Sequence, residues 1–224
     1  MTRYIQRLAL LASVLGLFTL MSAMGETETL DDATWFLASD ASSLNFISVK
    51  NEDIGETHAF QSLRGSIDPD GNARLVVDLT SVETGIDIRN QRMKELFFEV
   101  GRYGEASFFL KVATALKSIP PGAHEAVDVI GSLNLHGETV ALEASLIVNR
   151  LSETRVAVSS LTPILVHTED FKLVEGLNRL RTIAGLDSIQ PLVPVTFNLV
   201  FEASEEGVML RDLDGGALGA PAGS

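Results

Sequence analysis

The side chains that most often carry catalysis or bind metals are few and scattered in this sequence. The chain of 224 residues contains no cysteine, which excludes disulfides, thiolate metal sites and cysteine nucleophiles. It contains four histidines, His58, His124, His136 and His167. Their spacing matches neither H-x-H nor H-E-x-x-H, and no G-x-S-x-G sequence marks a serine nucleophile. The sequence therefore predicts no catalytic residues, no metal site and no cofactor.

Aromatic side chains suggest a binding chemistry instead. The chain has 11 phenylalanines, and those with strand periodicity would together build a wholly apolar interior. We predict an apolar pocket lined by Phe46, Phe60, Phe97, Phe98, Phe108, Phe171 and Phe197. Aromatic residues with strand periodicity also form ordinary packed cores, and the sequence leaves this alternative open.

Two arginines follow the expected turn at Thr84 and Gly85. Arg89 and Arg92 are candidates for a rim that meets the polar head group of a ligand. Alternatively, they satisfy carbonyls and a carboxylate where the chain reverses. Ser81 and Thr84 are expected to bind backbone amides at this corner, because short hydroxyl side chains often do so in turns.

Composition and charge restrict the class of protein further. The chain is 46% hydrophobic and 21% charged, as expected of a folded domain with a core rather than a disordered chain. Its formal net charge is −13, which disfavours sequence-independent binding to nucleic acid because phosphates repel an acidic surface. We interpret the acidic surface as a source of solubility.

The two ends of the sequence differ from the middle. Arg3 and Arg7 precede an uncharged apolar run over residues 8–20, and Ala23 and Gly25 supply small residues for cleavage. We predict that residues 1–25 are a signal peptide that exports the protein to a bacterial periplasm. The alternative is an uncleaved anchor, although a spanning helix needs about 20 apolar residues. Residues 205–224 are rich in Gly and Ala and are predicted to be disordered.

Alternation of apolar and polar residues dominates the segment between these ends. It predicts about eight or nine antiparallel strands with one apolar face shielded from water. So many strands must pack as two sheets or close into a barrel. The predicted strands are residues 35–39, 43–50, 57–67, 74–79, 107–116, 127–135, 139–150, 155–166 and 194–203. Helical spacing occurs at residues 90–100 and 170–184. The second helix could be a lid over a barrel mouth or a plug in one end.

Several motifs in this segment resemble the YceI-like family of exported, lipocalin-like lipid-binding proteins. Residues 81–90, SVETGIDIRN, are similar to the family signature S-V-x-T-G-x-x-x-R-D, and residues 131–139, GSLNLHGET, resemble G-x-L-T-L-H-G-x-T. Shorter matches are Trp35 with residues 43–46, residues 60–65, residues 96–98, and Tyr103 with Phe108. Lys50, Asn90 and Gly104 depart from the family pattern, so the chain is identified as a divergent member.

The resemblance implies an all-β fold over residues 31–204: an antiparallel lipocalin-like barrel of about eight strands, with one or two short helices near its ends. It also implies a non-enzymatic protein that carries or sequesters a long-chain isoprenoid, quinone or fatty-acyl lipid inside the barrel. One alternative is an envelope-stress or interaction protein with a filled barrel. Another is an enzyme of isoprenoid metabolism that uses the same pocket. The sequence leaves a homodimer open, and it predicts no membrane anchor after cleavage.

Overall fold

The computed structural model describes residues 33–112 and 119–204. The predicted signal peptide, residues 1–25, and the predicted disordered tail, residues 205–224, lie outside the described residues. Within the described part the alternating segments form one sheet of twelve antiparallel strands. The strands are β1 Thr34–Leu37, β2 Ser43–Lys50, β3 Ile54–Phe60, β4 Leu63–Ile67, β5 Asn72–Asp78, β6 Val82–Glu83, β7 Glu105–Lys111, β8 His124–Leu135, β9 Glu138–Ser152, β10 Arg155–Ser160, β11 Ile164–His167 and β12 Leu192–Ser204.

Eight of these strands close into a barrel in the order β1-β4-β5-β7-β8-β9-β10-β12. Closure depends on the short strand β1, because Trp35 lies opposite both Ile67 of β4 and Ala203 of β12. A closed barrel leaves no unpaired strand edge around its circumference. The predicted all-β antiparallel barrel of about eight strands is confirmed.

The long strand β12 extends the wall beyond the closed ring. Its second half pairs with β1 and β10, and its first half pairs with β2 and β11. β2 then pairs with β3, and β3 pairs with β6. The barrel is therefore taller on the side of β2 and β3 than a simple eight-stranded ring would be.

Two short helices lie at one end of the barrel, as expected. The first is α1, Asp87–Arg92, which continues into a π-helical turn, Met93–Phe97. The second is α2, Val174–Ala184, which follows a 3₁₀ turn, Thr168–Phe171. We call this the helical end. The opposite end, with the loop at 68–72 and the β9–β10 connection, is called the turn end.

α2 packs unusually close to the π-helical turn. A Cβ built on Gly176 would lie 2.6 Å from the carbonyl oxygen of Leu96 and 2.9 Å from the Cα of Phe97. This close approach explains why the helix contains a glycine, although glycine costs about 1 kcal/mol relative to alanine. Gly185, with φ +64°, ends the helix as its position in the sequence predicts.

Two strands predicted as continuous are each divided in the structure. The predicted strand 57–67 becomes β3 and β4, which run in the same direction and are interrupted at Gln61 and Ser62. The predicted strand 155–166 becomes β10 and β11, separated at Pro163, which fits the exclusion of proline from strand interiors. In the described part of the chain, helices are too short or too polar to cross a membrane.

Candidate functional site

The interior of the barrel holds a cavity of about 310 Å³. This volume lies at the lower end of the range for pockets that bind small molecules. Apolar side chains from the barrel strands, the π-helical turn and the 3₁₀ turn region make almost all of its lining. The cavity extends from Leu173 at the helical end to Val148 and Arg150 near the turn end.

Strand periodicity places the apolar side chains in this wall. On β9 the alternate residues Leu142, Ala144, Leu146 and Val148 all line the cavity. The intervening Glu143 lies on the opposite face and is exposed. Because successive side chains of a strand point to opposite faces, the alternation in the sequence determines which residues line the interior.

Six of the seven predicted phenylalanines lie in the cavity wall, namely Phe46, Phe60, Phe97, Phe98, Phe108 and Phe197. The seventh, Phe171, is the last residue of the 3₁₀ turn, is fully buried in the core and is not part of the wall. Contact between these side chains and a ligand stays a prediction. The structure shows that most of them share one apolar space.

Four of these rings form a continuous aromatic group near the helical end. The ring centroids of Phe46 and Phe60 are 5.3 Å apart, those of Phe60 and Phe98 are 5.8 Å apart, and those of Phe97 and Phe98 are 4.8 Å apart. Such spacings are typical of favourable tilted and edge-to-face ring pairs. The group links β2 and β3 to the π-helical turn and gives that side of the cavity a defined shape.

Phe108 lies directly over a glycine of the neighbouring strand. An ideal Cβ on Gly131 would be 2.0 Å from Cζ of the Phe108 ring. Both residues are on the inner face, and Phe108 lines the cavity. The absence of a side chain at Gly131 therefore allows the ring to lie against the barrel wall.

The two predicted rim arginines are not in the cavity wall. Arg89 Nη1 donates to Glu56 Oε2 at 2.7 Å, and Arg89 Nη2 donates to the carbonyl of Thr84 at 2.5 Å. These contacts of Arg89 are those expected of an arginine that binds a carboxylate and a backbone carbonyl where the chain reverses. Arg92 is half-buried at the end of α1. A head-group role for Arg89 and Arg92 stays a prediction.

Arg89 belongs to a polar cluster on β2, β3 and α1 at the helical end. Lys50 Nζ lies 2.9 Å from Glu56 Oε2. Hydrogen bonding from Lys50, together with Arg89, holds the pKa of the Glu56 carboxyl below its usual range despite partial burial. Glu56 is therefore ionised at neutral pH and bridges two cations.

His58 lies beside this cluster and is 4% exposed. Burial lowers the pKa of His58, and the nearby charge of Arg89 lowers it further. Its Nε2 lies 2.8 Å from Ser48 Oγ, whereas its Nδ1 has no hydrogen-bond partner among the described residues. A catalytic serine–histidine pair needs a third group that orients the histidine, and this pair has none. Neither residue lines the cavity.

Four polar residues in the cavity wall were not predicted from the sequence, and two of them, Arg150 and Thr168, are buried. Arg150, near the turn end, is 8% exposed, and its guanidinium carbon lies 4.8 Å from the Trp35 ring centroid. Its Nε donates to the carbonyl of Ser152 at 2.8 Å. Thr168, at the helical end, is 1% exposed. Arg150 and Thr168 occur at strand and turn positions with no motif around them, so no sequence signal distinguishes them.

Among residues 33–112 and 119–204, His, Asp and Glu side chains do not gather in groups of three that could hold a metal ion. The prediction that the protein binds no metal stays a prediction. The polar groups that the structure does bring together near the cavity are suited to hydrogen bonding and charge pairing.

The comparisons with known proteins agree with this architecture. The sequence matches the YceI-like domain over residues 35–201. A polyisoprenoid-binding domain from Saccharophagus degradans, implicated in plant cell wall breakdown, is 41% identical; the match covers 76% of this chain and 98% of that one, with a TM-score of 0.74. BcnA of Burkholderia cenocepacia is 18% identical over 73% of this chain and 98% of its own, with a TM-score of 0.57, and shares the fold. No curated protein sequence matches significantly. The barrel, its motifs and these similarities together show that the chain belongs to the YceI-like family.

Proposed function

We propose that this protein binds a long-chain isoprenoid lipid inside the barrel. The observation that carries this proposal is the apolar cavity of about 310 Å³ enclosed by the closed ring of strands. It is supported by the Saccharophagus degradans relative, which is described as a polyisoprenoid-binding domain. Quinones with isoprenoid tails and fatty-acyl lipids have the same type of apolar chain and are the other candidates.

The energetics of such binding follow from apolar burial. About 15 buried carbons would contribute roughly 12 kcal/mol at about 0.8 kcal/mol each. Association costs at least about 4 kcal/mol in lost translational and rotational freedom. The difference is then at most about 8 kcal/mol, which corresponds to a micromolar dissociation constant as the tightest binding that burial of this chain length gives. Apolar burial can therefore supply the main driving force for binding.

We favour a binding protein that carries or sequesters its lipid over the two alternatives. A filled barrel would leave no room for a chain, whereas this barrel holds a cavity comparable to small-molecule pockets. An enzyme would need reactive groups in that cavity, and the Ser48–His58 pair lies outside its wall. A homodimer is a further hypothesis, for which sedimentation analysis of the purified protein is the test.

We also propose that the protein is exported to the periplasm of a bacterium. The support is the basic start of the chain, with Arg3 and Arg7, and the apolar run at residues 8–20 before Gly25. Intact-mass measurement on protein from the periplasmic fraction is expected to give a chain that begins at Glu26. Full-length protein in the membrane fraction would contradict export with cleavage.

A cavity-blocking substitution tests lipid binding. Ala144 on β9 lines the cavity and is 7% exposed, whereas Ala141 on the same strand is exposed. Ala144→Phe places a ring in the cavity, and Ala141→Phe places the same ring on the outer surface. We expect Ala144→Phe to weaken binding of a C20 isoprenol at least tenfold, and Ala141→Phe to leave it within a factor of two.

The measurement is competition against a fluorescent lipid probe, with far-UV circular dichroism to confirm that both variants are folded. If both variants bind the isoprenol like the unmodified protein, the ligand does not occupy the cavity. If the unmodified protein binds neither isoprenol nor fatty acid, the barrel is not a lipid carrier, and an interaction role becomes the better hypothesis.

A further inference from the structure

We propose that the Thr168 hydroxyl binds the neutral oxygen of the ligand's head group, so that the lipid lies with its head at the helical end. This inference rests on the proposed function, because it assigns an orientation and a head-group chemistry to the same cavity. The ligand class it implies is a long-chain alcohol or carbonyl compound, and it excludes a charged phosphate or carboxylate at this position.

The first observation is an unpaired polar atom in the cavity wall. Thr168 lines the cavity and is 1% exposed, yet its Oγ1 has no hydrogen-bond partner among the described residues. Buried hydroxyl groups are nearly always hydrogen-bonded, because leaving one unpaired loses its hydration without compensation. An oxygen atom of a bound ligand would supply the missing partner.

The backbone of Thr168 is fully engaged, which fixes the position of the hydroxyl. Its N–H donates to the carbonyl of Pro191 at 2.9 Å, and its carbonyl accepts from the N–H of Leu173 at 2.9 Å. It is therefore the side chain alone that lacks a partner. A rigid position of this kind favours an oriented hydrogen bond to a ligand.

The other polar residues of the cavity lining are differently placed. Asp68 accepts from the backbone N–H of Asn72 at 2.7 Å, and Arg150 donates to backbone carbonyls. The Arg74 guanidinium also has an unpaired Nε, but it lies 5.4 Å from the ring centroid of Phe109, a residue 44% exposed. Because strand neighbours alternate between faces, Arg74 directs its charge to the outside of the barrel.

The surroundings of Thr168 favour an uncharged head group. Phe171 and Leu173 beside it are 0% and 2% exposed, and they belong to the hydrophobic core. The charged residues of the same turn, Glu169 and Asp170, are exposed to solvent instead. An anion next to Thr168 would lose its hydration and gain no counter-charge, whereas an alcohol or carbonyl oxygen needs only one hydrogen bond.

Matched ligands and an isosteric substitution test the proposal. Thr168→Val removes the hydroxyl and keeps the shape, and Thr168→Ser keeps the hydroxyl. The probes are a C20 isoprenol, the hydrocarbon of the same chain without the hydroxyl, and the isoprenyl diphosphate, each titrated by displacement of a fluorescent lipid. Thr57→Val, at an exposed position of β3, is the control for loss of a threonine hydroxyl.

We expect the unmodified protein, Thr168→Ser and Thr57→Val to bind the isoprenol about five- to tenfold more tightly than the hydrocarbon, as one buried neutral hydrogen bond predicts. Thr168→Val should bind both equally, with its hydrocarbon affinity unchanged. Three results would overturn the inference while leaving lipid binding intact. In the first, Thr168→Val still binds the isoprenol more tightly than the hydrocarbon. In the second, the unmodified protein binds the isoprenol and the hydrocarbon equally, and in the third it binds the diphosphate more tightly than the isoprenol. If the unmodified protein bound neither chain, the proposed function itself would fail, and this inference with it.

Discussion

Substituting Gly131 with alanine tests the packing that keeps the cavity open. The added Cβ would lie 2.0 Å from Cζ of Phe108 and 2.6 and 2.7 Å from its two Cε atoms. Ordinary van der Waals contact begins at 3.4 Å, so the ring must move by more than 1 Å. Phe108 lines the cavity, and its displacement would be into that space.

The expected cost follows from the size of this overlap. Forcing an extra methyl group into a packed interior typically costs about 1–3 kcal/mol. For a domain of this size, about 2 kcal/mol lowers Tm by roughly 4–8 °C. We also expect weaker binding of long-chain lipids, because the displaced ring narrows the cavity. Thermal unfolding followed by circular dichroism measures the first effect, and lipid titration measures the second.

The control is Gly55→Ala, because a Cβ on Gly55 meets nothing within 4 Å. A double-mutant cycle with Phe108→Leu, which shortens the displaced side chain, should recover about 1 kcal/mol or more of the loss as a coupling energy. If Gly131→Ala and Gly55→Ala unfold at the same temperature and bind lipid equally, the ring does not lie against Gly131, and our reasoning about the cavity wall is wrong.

Three further predictions concern the helical end. Glu56→Gln should destabilise the protein at pH 7 by about 1 kcal/mol or less. Folding lowers the pKa of Glu56 from 4.5, so the difference in unfolding free energy between variant and wild type should shrink as pH falls below 4.5. Urea titrations at several pH values measure this difference. Gly176→Ala should lower Tm despite its better helix propensity, since the Cβ would lie 2.6 Å from the Leu96 carbonyl oxygen; an unchanged Tm would contradict the close packing of α2. Burial lowers the pKa of His58 from 6.5, so the imidazole binds a proton more readily in the unfolded chain than in the folded protein. Stability should therefore decline as pH falls below 6.5. His58→Phe should reduce that decline, and identical stability–pH profiles for variant and wild type would contradict the prediction.

The sequence predicts the inner face of the barrel well. Leu142, Ala144 and Leu146 alternate with polar residues, and the structure places all three in the cavity wall. This success has a simple physical cause. Side chains of a strand alternate between its two faces, so a single apolar face is enough to identify the residues that point inward. The same alternation cannot distinguish a packed core from a cavity, since both need apolar residues facing inward.

Features that depend on contacts distant in sequence were not predictable. The interruption between β3 and β4 has no glycine or proline, and the N–H of Ser62 instead donates to the Oγ of Ser81, 19 residues away. The contact of Phe108 with Gly131 similarly joins two strands. The division of residues 155–166, in contrast, had a local signal in Pro163 that the alternation obscured.

The unpaired hydroxyl of Thr168 illustrates the limit most clearly. In the sequence it is one threonine in a polar stretch before Phe171, and nothing around it marks a binding residue. Its significance comes from burial at 1% exposure in a cavity wall that other elements complete. The four predicted phenylalanines on strands, by comparison, lie in segments whose own alternation points inward, namely Phe46, Phe60, Phe108 and Phe197.

Native mass spectrometry of the protein purified from cells, followed by lipid extraction, tests the central claim most directly. The claim is that the apolar cavity of about 310 Å³ holds a long-chain lipid. We predict one added mass per chain that extracts as an isoprenoid, quinone or acyl lipid and is missing from Ala144→Phe but present in Ala141→Phe. A bare protein that also takes up no added lipid would contradict the claim.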